Sequence, residues 1–360
     1  MSNQQLLLGA GAAKKIYIDD VFATNVWRGE YNSSMWQTWT QSIQNGIDLA
    51  NEGGLVWIKN RSSNNTDHVL YDTERGVKKY LSTSDDAGEV DETNQTGADE
   101  GLDYWLSQGG FRLGGGDERV NELGEDYVSW TFRKAKGFFD VVKWDGDGTA
   151  SRQISHGLGS VPGMIWIKRT DGSYSWYTYH RKLNSTNPHQ YYVRIASSAG
   201  RVDTSSHNAG PWLAAAPTDT HFTLAANLIE NFTGGWGGQN TDGQSYVAYV
   251  FAHDAQVYGE NEDQSIIKCD SYEGNGNNNG PEINLGWEPQ WVMVKNIDTG
   301  SSHWWIHDAT RGIHAVRTNT VTSGHDKIIK ANRTEDEAEG TGIDVSPTGF
   351  KVRQLSLIHI

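Results

Sequence analysis

Apolar residues in this chain gather in short β-branched and aromatic runs, each closed by a cluster of Gly, Asn, Asp or Ser. Leu55-Val56-Trp57-Ile58-Lys59-Asn60 is one such run. Phe138-Phe139-Asp140-Val141-Val142-Lys143-Trp144 is another, broken at Asp145-Gly146-Asp147-Gly148. Ser175-Trp176-Tyr177-Thr178-Tyr179 and Gln190-Tyr191-Tyr192-Val193-Arg194-Ile195 follow the same logic, and Glu273-Gly274-Asn275-Gly276-Asn277-Asn278-Asn279-Gly280 reads as turn. Val, Ile, Tyr and Trp suit the pleated, half-buried surface of a strand, and Asp-Gly supplies a hairpin turn. No segment sustains an apolar period of about 3.6 residues behind a capping residue. The pattern predicts an all-β chain.

The runs recur. Leu55-Val56-Trp57-Ile58-Lys59 is repeated as Met164-Ile165-Trp166-Ile167-Lys168 and as Trp291-Val292-Met293-Val294-Lys295, so the central position advances by 109 and then by 127. Phe111, Phe222 and Phe350, each inside a short strand-like phrase, advance by 111 and then by 128. Asp72-Thr73-Glu74-Arg75-Gly76 returns as Asp308-Ala309-Thr310-Arg311-Gly312, and Tyr127-Val128-Ser129-Trp130-Thr131-Phe132 reads like Tyr246-Val247-Ala248-Tyr249-Val250-Phe251. Independent landmarks moving in near step imply three diverged copies of one module. A module of this size with alternating strands buries one face of each sheet against another, so each copy is expected to be an antiparallel β-sandwich. The expected division is a leader over 1–14, repeats over 15–135, 136–253 and 254–354, and a tail over 355–360. The third repeat has no counterpart of the Tyr127 and Tyr246 strands and is expected to lack its last strand. Leu355-Ser356-Leu357-Ile358-His359-Ile360 resembles the translation of a transposon-end sequencing adapter, which would make the tail non-native and the gene metagenomic.

Composition narrows the function. Lys plus Arg is 30 against 45 Asp plus Glu, a formal charge of −15, which speaks against nucleic acid as a partner because phosphates need cationic groups. The same balance argues against an anionic bilayer. Cys269 is the single cysteine, so there is no intrachain disulfide and no cysteine-based zinc site. No stretch approaches the roughly 20 apolar residues of a membrane span, and Leu6-Leu7-Leu8 is too short for a signal peptide. A protein folded in a cytoplasm, without membrane insertion, is expected. The 15 Trp among 360 residues supply large buried areas or, alternatively, platforms for sugar rings.

The repeated phrases resemble a family of tandem concanavalin-like jelly-roll domains in virion proteins of marine bacteriophages. The resemblance rests on Asn45-Gly46-Ile47-Asp48-Leu49-Ala50-Asn51-Glu52-Gly53-Gly54, on Asp72-Thr73-Glu74-Arg75-Gly76, on Trp130-Thr131-Phe132-Arg133-Lys134-Ala135 and on Ser155-His156-Gly157-Leu158-Gly159-Ser160-Val161-Pro162-Gly163. Leu285-Gly286-Trp287-Glu288-Pro289-Gln290-Trp291 extends it, and Gln5-Leu6-Leu7-Leu8-Gly9-Ala10-Gly11-Ala12 is similar to the start of many tail-associated phage proteins. It implies a virion location after folding in the host's bacterial cytoplasm, other virion proteins as partners, and host recognition through a lectin-like fold. It brings no catalytic motif. Neither oligomeric state nor host can be read from it, and a homo-oligomer is compatible with it.

Chemistry-bearing motifs are sparse. There is no Gly-x-Ser-x-Gly elbow, no His-Glu-x-x-His and no Walker loop. Sandwiches of this kind host glycosidases, which need two facing carboxylates, yet Glu260-Asn261-Glu262-Asp263 and Glu335-Asp336-Glu337 sit in polar, turn-like stretches. The recurring Asp72, Arg75 and Asp308, Arg311 pairs read either as a ligand grip or, with more weight, as a salt-bridged turn ending at a positive-φ glycine. Trp176, Tyr177, Tyr179, Trp304 and Trp305 are the aromatic candidates for stacking on a glycan, with core packing as the heavier reading. No cofactor is expected; calcium is the one candidate, at Asp145 and Asp147 or the acidic stretch 85–103, where turn chemistry is the simpler explanation. The expectation is therefore a non-enzymatic tail or tail-fibre protein that contacts the host surface, its alternatives an inert spacer or decoration protein and a polysaccharide-degrading enzyme.

Overall fold

The computed structural model describes residues 15–31, 40–94, 101–115, 117–205, 212–225, 238–315 and 326–353. The expected leader and tail lie outside them. Among the described residues the chain is all-β, with largely antiparallel sheets and two one-turn α-helices, Ile18–Val21 and Leu49–Glu52. Its first strands are β1 (Phe22–Arg28), β2 (Gln41–Ile43), β3 (Gly54–Asn60), β4 (Val69–Asp72), β5 (Lys79–Leu81), β6 (Val90–Asp91), β7 (Leu102–Trp105), β8 (Phe111–Leu113) and β9 (Asp126–Arg133). They form one sheet in the order β1-β9-β3-β4-β5-β6 and a smaller one in the order β2-β8-β7.

That order repeats. β10 (Phe139–Asp145), β11 (Gln153–Ser155), β12 (Met164–Arg169), β13 (Tyr177–His180), β14 (Tyr191–Tyr192), β15 (Val202–Asp203), β16 (Leu213–Ala215), β17 (His221–Leu224) and β18 (Ser245–Phe251) follow. They give β10-β18-β12-β13 and β11-β17-β16, with β14 and β15 paired beyond β13 through the Thr178–Val193 bridge. The last set is β19 (Glu282–Asn284), β20 (Trp291–Lys295), β21 (Trp304–Asp308), β22 (His314–Ala315), β23 (Asp326–Lys330), β24 (Ala338–Gly340), β25 (Ile343–Ser346) and β26 (Gly349–Val352), arranged as β20-β21-β23-β24 and β19-β26-β25-β22. We call these strand sets units 1, 2 and 3. Among the described residues, no strand in unit 3 takes the place beside β20 that β9 takes beside β3 and β18 beside β12.

Each unit packs its two sheets over its own interior. In unit 1 this holds Val56, Ile58, Tyr71, Phe111, Leu113 and Tyr127; in unit 2, Ile165, Ile167, Tyr177, Phe222, Leu224 and Tyr246; in unit 3, Val292, Val294, Ile343, Val345, Phe350 and Val352. These residues occupy one face of their strands, by the two-residue alternation of the pleat.

The other face is also covered. Leu55 and Trp57 of β3, Met164 and Trp166 of β12, and Trp130, Tyr249, Trp304 and Ile306 join in one further apolar cluster, with Trp291 and Met293 packed against it. Trp57 meets Trp166 edge to face at 5.6 Å and Trp130 at 5.2 Å. The three strand sets thus share one apolar centre in addition to their own interiors. The large sheets turn their second faces inward to a common centre, and each enclosed aromatic there contributes about 1.5–3 kcal/mol of burial plus about 0.5–1.5 kcal/mol from ring geometry. The repeated phrase is a near-continuous apolar run because its strand is enclosed on both sides.

Candidate functional site

The polar residues at this centre repeat with the strands and link the units in a closed ring. A lysine ends the repeated phrase in each copy, and all three lysines are fully buried. Lys59 Nζ donates to Thr334 O of unit 3 at 3.2 Å, Lys168 Nζ to Asp86 O of unit 1 at 2.9 Å, and Lys295 Nζ to Ser198 O of unit 2 at 3.2 Å. Each ammonium also donates to carbonyls of its own unit: Asn60 O for Lys59, Tyr174 O for Lys168, and Asn296 O and Ser302 O for Lys295. Desolvation by burial lowers all three pKa values to about 8.

A second ring of contacts runs the same way. The aromatic that opens or precedes the next strand bonds a main-chain carbonyl in the neighbouring unit. His68 Nε2 lies 3.1 Å from Lys330 O, Trp176 Nε1 donates to Ser82 O at 2.7 Å, and Trp304 Nε1 donates to Arg194 O at 3.0 Å. In both rings unit 1 reaches unit 3, unit 3 reaches unit 2 and unit 2 reaches unit 1. Three equivalent links closing on themselves define an approximate threefold arrangement within one chain.

The recurring Asp–Arg pairs belong to the same boundaries. Arg75 Nε donates to Asp72 Oδ2 at 2.6 Å and Arg75 Nη2 to Leu70 O at 2.7 Å; Arg311 repeats this with Asp308 Oδ2 at 2.5 Å and Ile306 O at 3.1 Å. Gly76 and Gly312 follow at φ 94° and 118°, which only glycine adopts without strain. A neighbouring unit caps each pair: Tyr249 Oη donates to Asp72 Oδ2 at 2.8 Å, and Trp130 Nε1 donates to Asp308 Oδ2 at 3.0 Å. His180 stands at the equivalent position of unit 2, since Met164 pairs with His180 as Leu55 pairs with Asp72 and Trp291 with Asp308.

Of the residues singled out as ligand contacts, all but the half-buried Trp305 are buried. Asp72, Arg75, Asp308 and Arg311 are buried pairs that lock their turns, in the arrangement of the salt-bridged turn that carries more weight in the sequence. Trp176 and Trp304 pack in the common centre, and Tyr177 and Tyr179 in the interior of unit 2. Trp305, half-buried, packs on the interior of unit 3 with Lys330 Nζ 5.9 Å from its ring centroid. The three lysines were missed as a set, although a cation closing an apolar run at one position of every copy was the available signal.

The calcium candidates are engaged in protein contacts. Asp147 Oδ1 accepts from Thr149 N, Thr149 Oγ1 and Asn240 Nδ2 at 2.7–2.9 Å, and those bonds, chiefly from Thr149, lower its pKa to about 2. In the acidic stretch, Glu92 pairs with Arg119 and Asp103 with Arg112, while Asp99 and Glu100 lie outside the described residues. Among the described residues no three His, Cys, Asp or Glu side chains are grouped to hold a metal ion.

One cavity opens beside these contacts, with a volume of about 410 Å³. It lies between β20 and the stretch from Gln264 to Tyr272, and it is floored by Phe22, Phe132, Phe138, Met164 and Phe251, with His180 on its wall. Burial lowers the His180 pKa to about 4, so its ring is neutral at pH 7. Its Nδ1 accepts from Lys182 N at 3.2 Å.

These features define an all-β sandwich protein whose triplicated polar residues serve contacts between units. The chain belongs to the family described as a domain of unknown function (DUF7483), which matches residues 27–359. No curated protein matches the chain, and no solved structure does.

Proposed function

We propose that this chain is a non-enzymatic structural protein of a phage virion, associated with the tail or tail fibre, that meets the host surface with the outer loops of its units. The observation that carries the structural reading is the use made of its buried ionisable groups. Lys59, Lys168, Lys295, His68 and the two Asp–Arg pairs all end on carbonyls or on one another at unit boundaries. A general acid or base must reach a substrate proton, and these groups are enclosed. The resemblance to tandem jelly-roll virion proteins supplies the location. Three units around one centre favour a compact knob over a string of beads, with outer tips held at fixed spacing so that weak contacts gain avidity.

Tyr104 supports a glycan contact. It is 54% exposed, and Arg112 lies 5.6 Å from its ring centroid while holding Asp103 in a two-pronged pair. An open aromatic face beside fixed polar groups is the chemistry of a shallow sugar site. The test is a glycan array with the full chain and its Tyr104→Ala variant, run beside a reducing-end assay on bacterial envelope polysaccharide. Retention that Tyr104→Ala reduces, without new reducing ends, is expected. No retention on any glycan favours the inert spacer, and released reducing ends refute the non-enzymatic reading.

A further inference from the structure

We propose that the edge of β20 left unpaired among the described residues, with the cavity beside it, is a binding site for one additional antiparallel strand of stated side-chain pattern: Val, then Tyr, then Phe at alternate positions. This rests on the comparison of equivalent strands and not on the virion reading.

The two other units show what fills that place. β9 lies between β1 and β3, and β18 between β10 and β12. Phe132 stands opposite Leu55, Trp130 opposite Trp57 and Val128 opposite Lys59; Phe251, Tyr249 and Val247 stand opposite Met164, Trp166 and Lys168. The equivalent positions of unit 3 are Trp291, Met293 and Lys295. Their side of β20 presents main-chain groups for pairing. Gln290 O accepts from Ala309 N of unit 3, so residues 290, 292 and 294 bond toward β21. By the alternation of an antiparallel ladder, the N–H and C=O groups of Trp291, Met293 and Lys295 point the other way, toward the cavity. An edge of this kind takes up a strand through main-chain bonds, and pockets select its alternate side chains.

The polar wall specifies the middle residue. Trp130 Nε1 bonds Asp308, and Tyr249 Oη bonds Asp72. The member of that ring on unit 2 is His180, whose Nε2 makes no hydrogen bond among the described residues and which lines the cavity. With Nδ1 accepting from Lys182 N, the neutral ring carries its proton on Nε2, so a strand residue opposite Met293 completes the third contact by accepting there, as the hydroxyl oxygen of Tyr does and an indole cannot. Phe opposite Trp291 joins the ring cluster in which Phe22 and Phe132 already lie 6.5 and 5.8 Å from Trp291. The cavity falls within the roughly 300–1,000 Å³ of small-ligand sites, so an apolar small molecule is the competing occupant.

The test uses the unmodified full chain and synthetic peptides with the sequences of residues 244–252 and 125–134. Saturable one-to-one binding by fluorescence anisotropy is expected, with slowed amide exchange at Trp291, Met293 and Lys295. The first peptide with Tyr249→Ser and Phe251→Ser keeps every main-chain bond and is expected to bind at least 10-fold more weakly. Its Tyr249→Phe form is expected to lose affinity about threefold on the unmodified chain and nothing on a His180→Ala chain. Four results overturn the proposal: no binding by either peptide; equal binding of the doubly serine-substituted peptide; protection of the same amides by self-association without peptide; or binding of an apolar dye at the cavity that neither peptide displaces.

Discussion

β12 and β20 carry one phrase in two settings. Met164-Ile165-Trp166-Ile167-Lys168 pairs on both sides, with β13 and with β18, and all five residues are buried. Trp291-Val292-Met293-Val294-Lys295 pairs on one side only among the described residues, and Trp291 and Met293 are half-buried. The lysine is nevertheless equally enclosed in both, held by carbonyls of its own unit and the next. The difference teaches that two structural terms act separately. Contacts between units fix the end of the strand, while its middle, with no second strand beside it among the described residues, is less enclosed.

The largest test of this comparison lies in the buried ion pairs. Arg75→Met leaves Asp72 buried without its guanidinium and is expected to cost about 3–5 kcal/mol, and Arg311→Met about the same at Asp308. His180→Ala, at the equivalent place beside the cavity, is expected to cost under about 1 kcal/mol, because nothing buried loses a charge partner. Urea denaturation of the three variants reads all of these. A comparable loss at all three positions would show that the cavity wall is already closed.

Next come the central side chains. Trp166→Ala empties a site enclosed on every side and is expected to cost about 3–5 kcal/mol. Met293→Ala is expected to cost about 1–2 kcal/mol, below the range of a fully enclosed methionine, since its environment is half open. Parity between the two removes the distinction between the strands.

The pH dependence is spread over all three units. Burial lowers the pKa of His68 well below its ordinary value, that of His180 to about 4 and that of His307 to about 3. The unfolded chain takes up these protons near pH 6.5, so their contribution is whole above that pH and is lost as pH falls toward 4. Three such groups give a slope of up to about 4 kcal/mol per pH unit, and His180→Ala should remove about a third of it. The buried lysines act in a second window. Folded they titrate near 8 and unfolded near 10.5, so stability should rise between pH 8 and about 10. Urea midpoints measured across both windows check the two signs.

Much of the fold was legible. The phrases around Trp57, Trp166 and Met293 fall on β3, β12 and β20, whereas Asp145–Gly148 closes β10 without making a hairpin, since β11 joins the other sheet. Trp304 and Trp305, adjacent in β21, fall on opposite faces by the alternation of a strand, one in the common centre and one against the interior of unit 3. The common centre was not legible, because an apolar run cannot say whether its second face meets solvent-side loops or a strand a hundred residues away. For Trp176, core packing was the heavier reading, but its partner, Ser82 O of another unit, could not be named. The lysines were equally opaque, since their partners are main-chain carbonyls that no side-chain motif marks.

Scanning calorimetry tests the shared centre most directly. If the closed ring of Lys, aromatic and Asp–Arg contacts makes one cooperative body, the full chain melts in a single transition with equal calorimetric and van't Hoff enthalpies, and Trp57→Ala shifts that transition as a whole. Separate transitions for the three units, with Trp57→Ala moving only one of them, would contradict it.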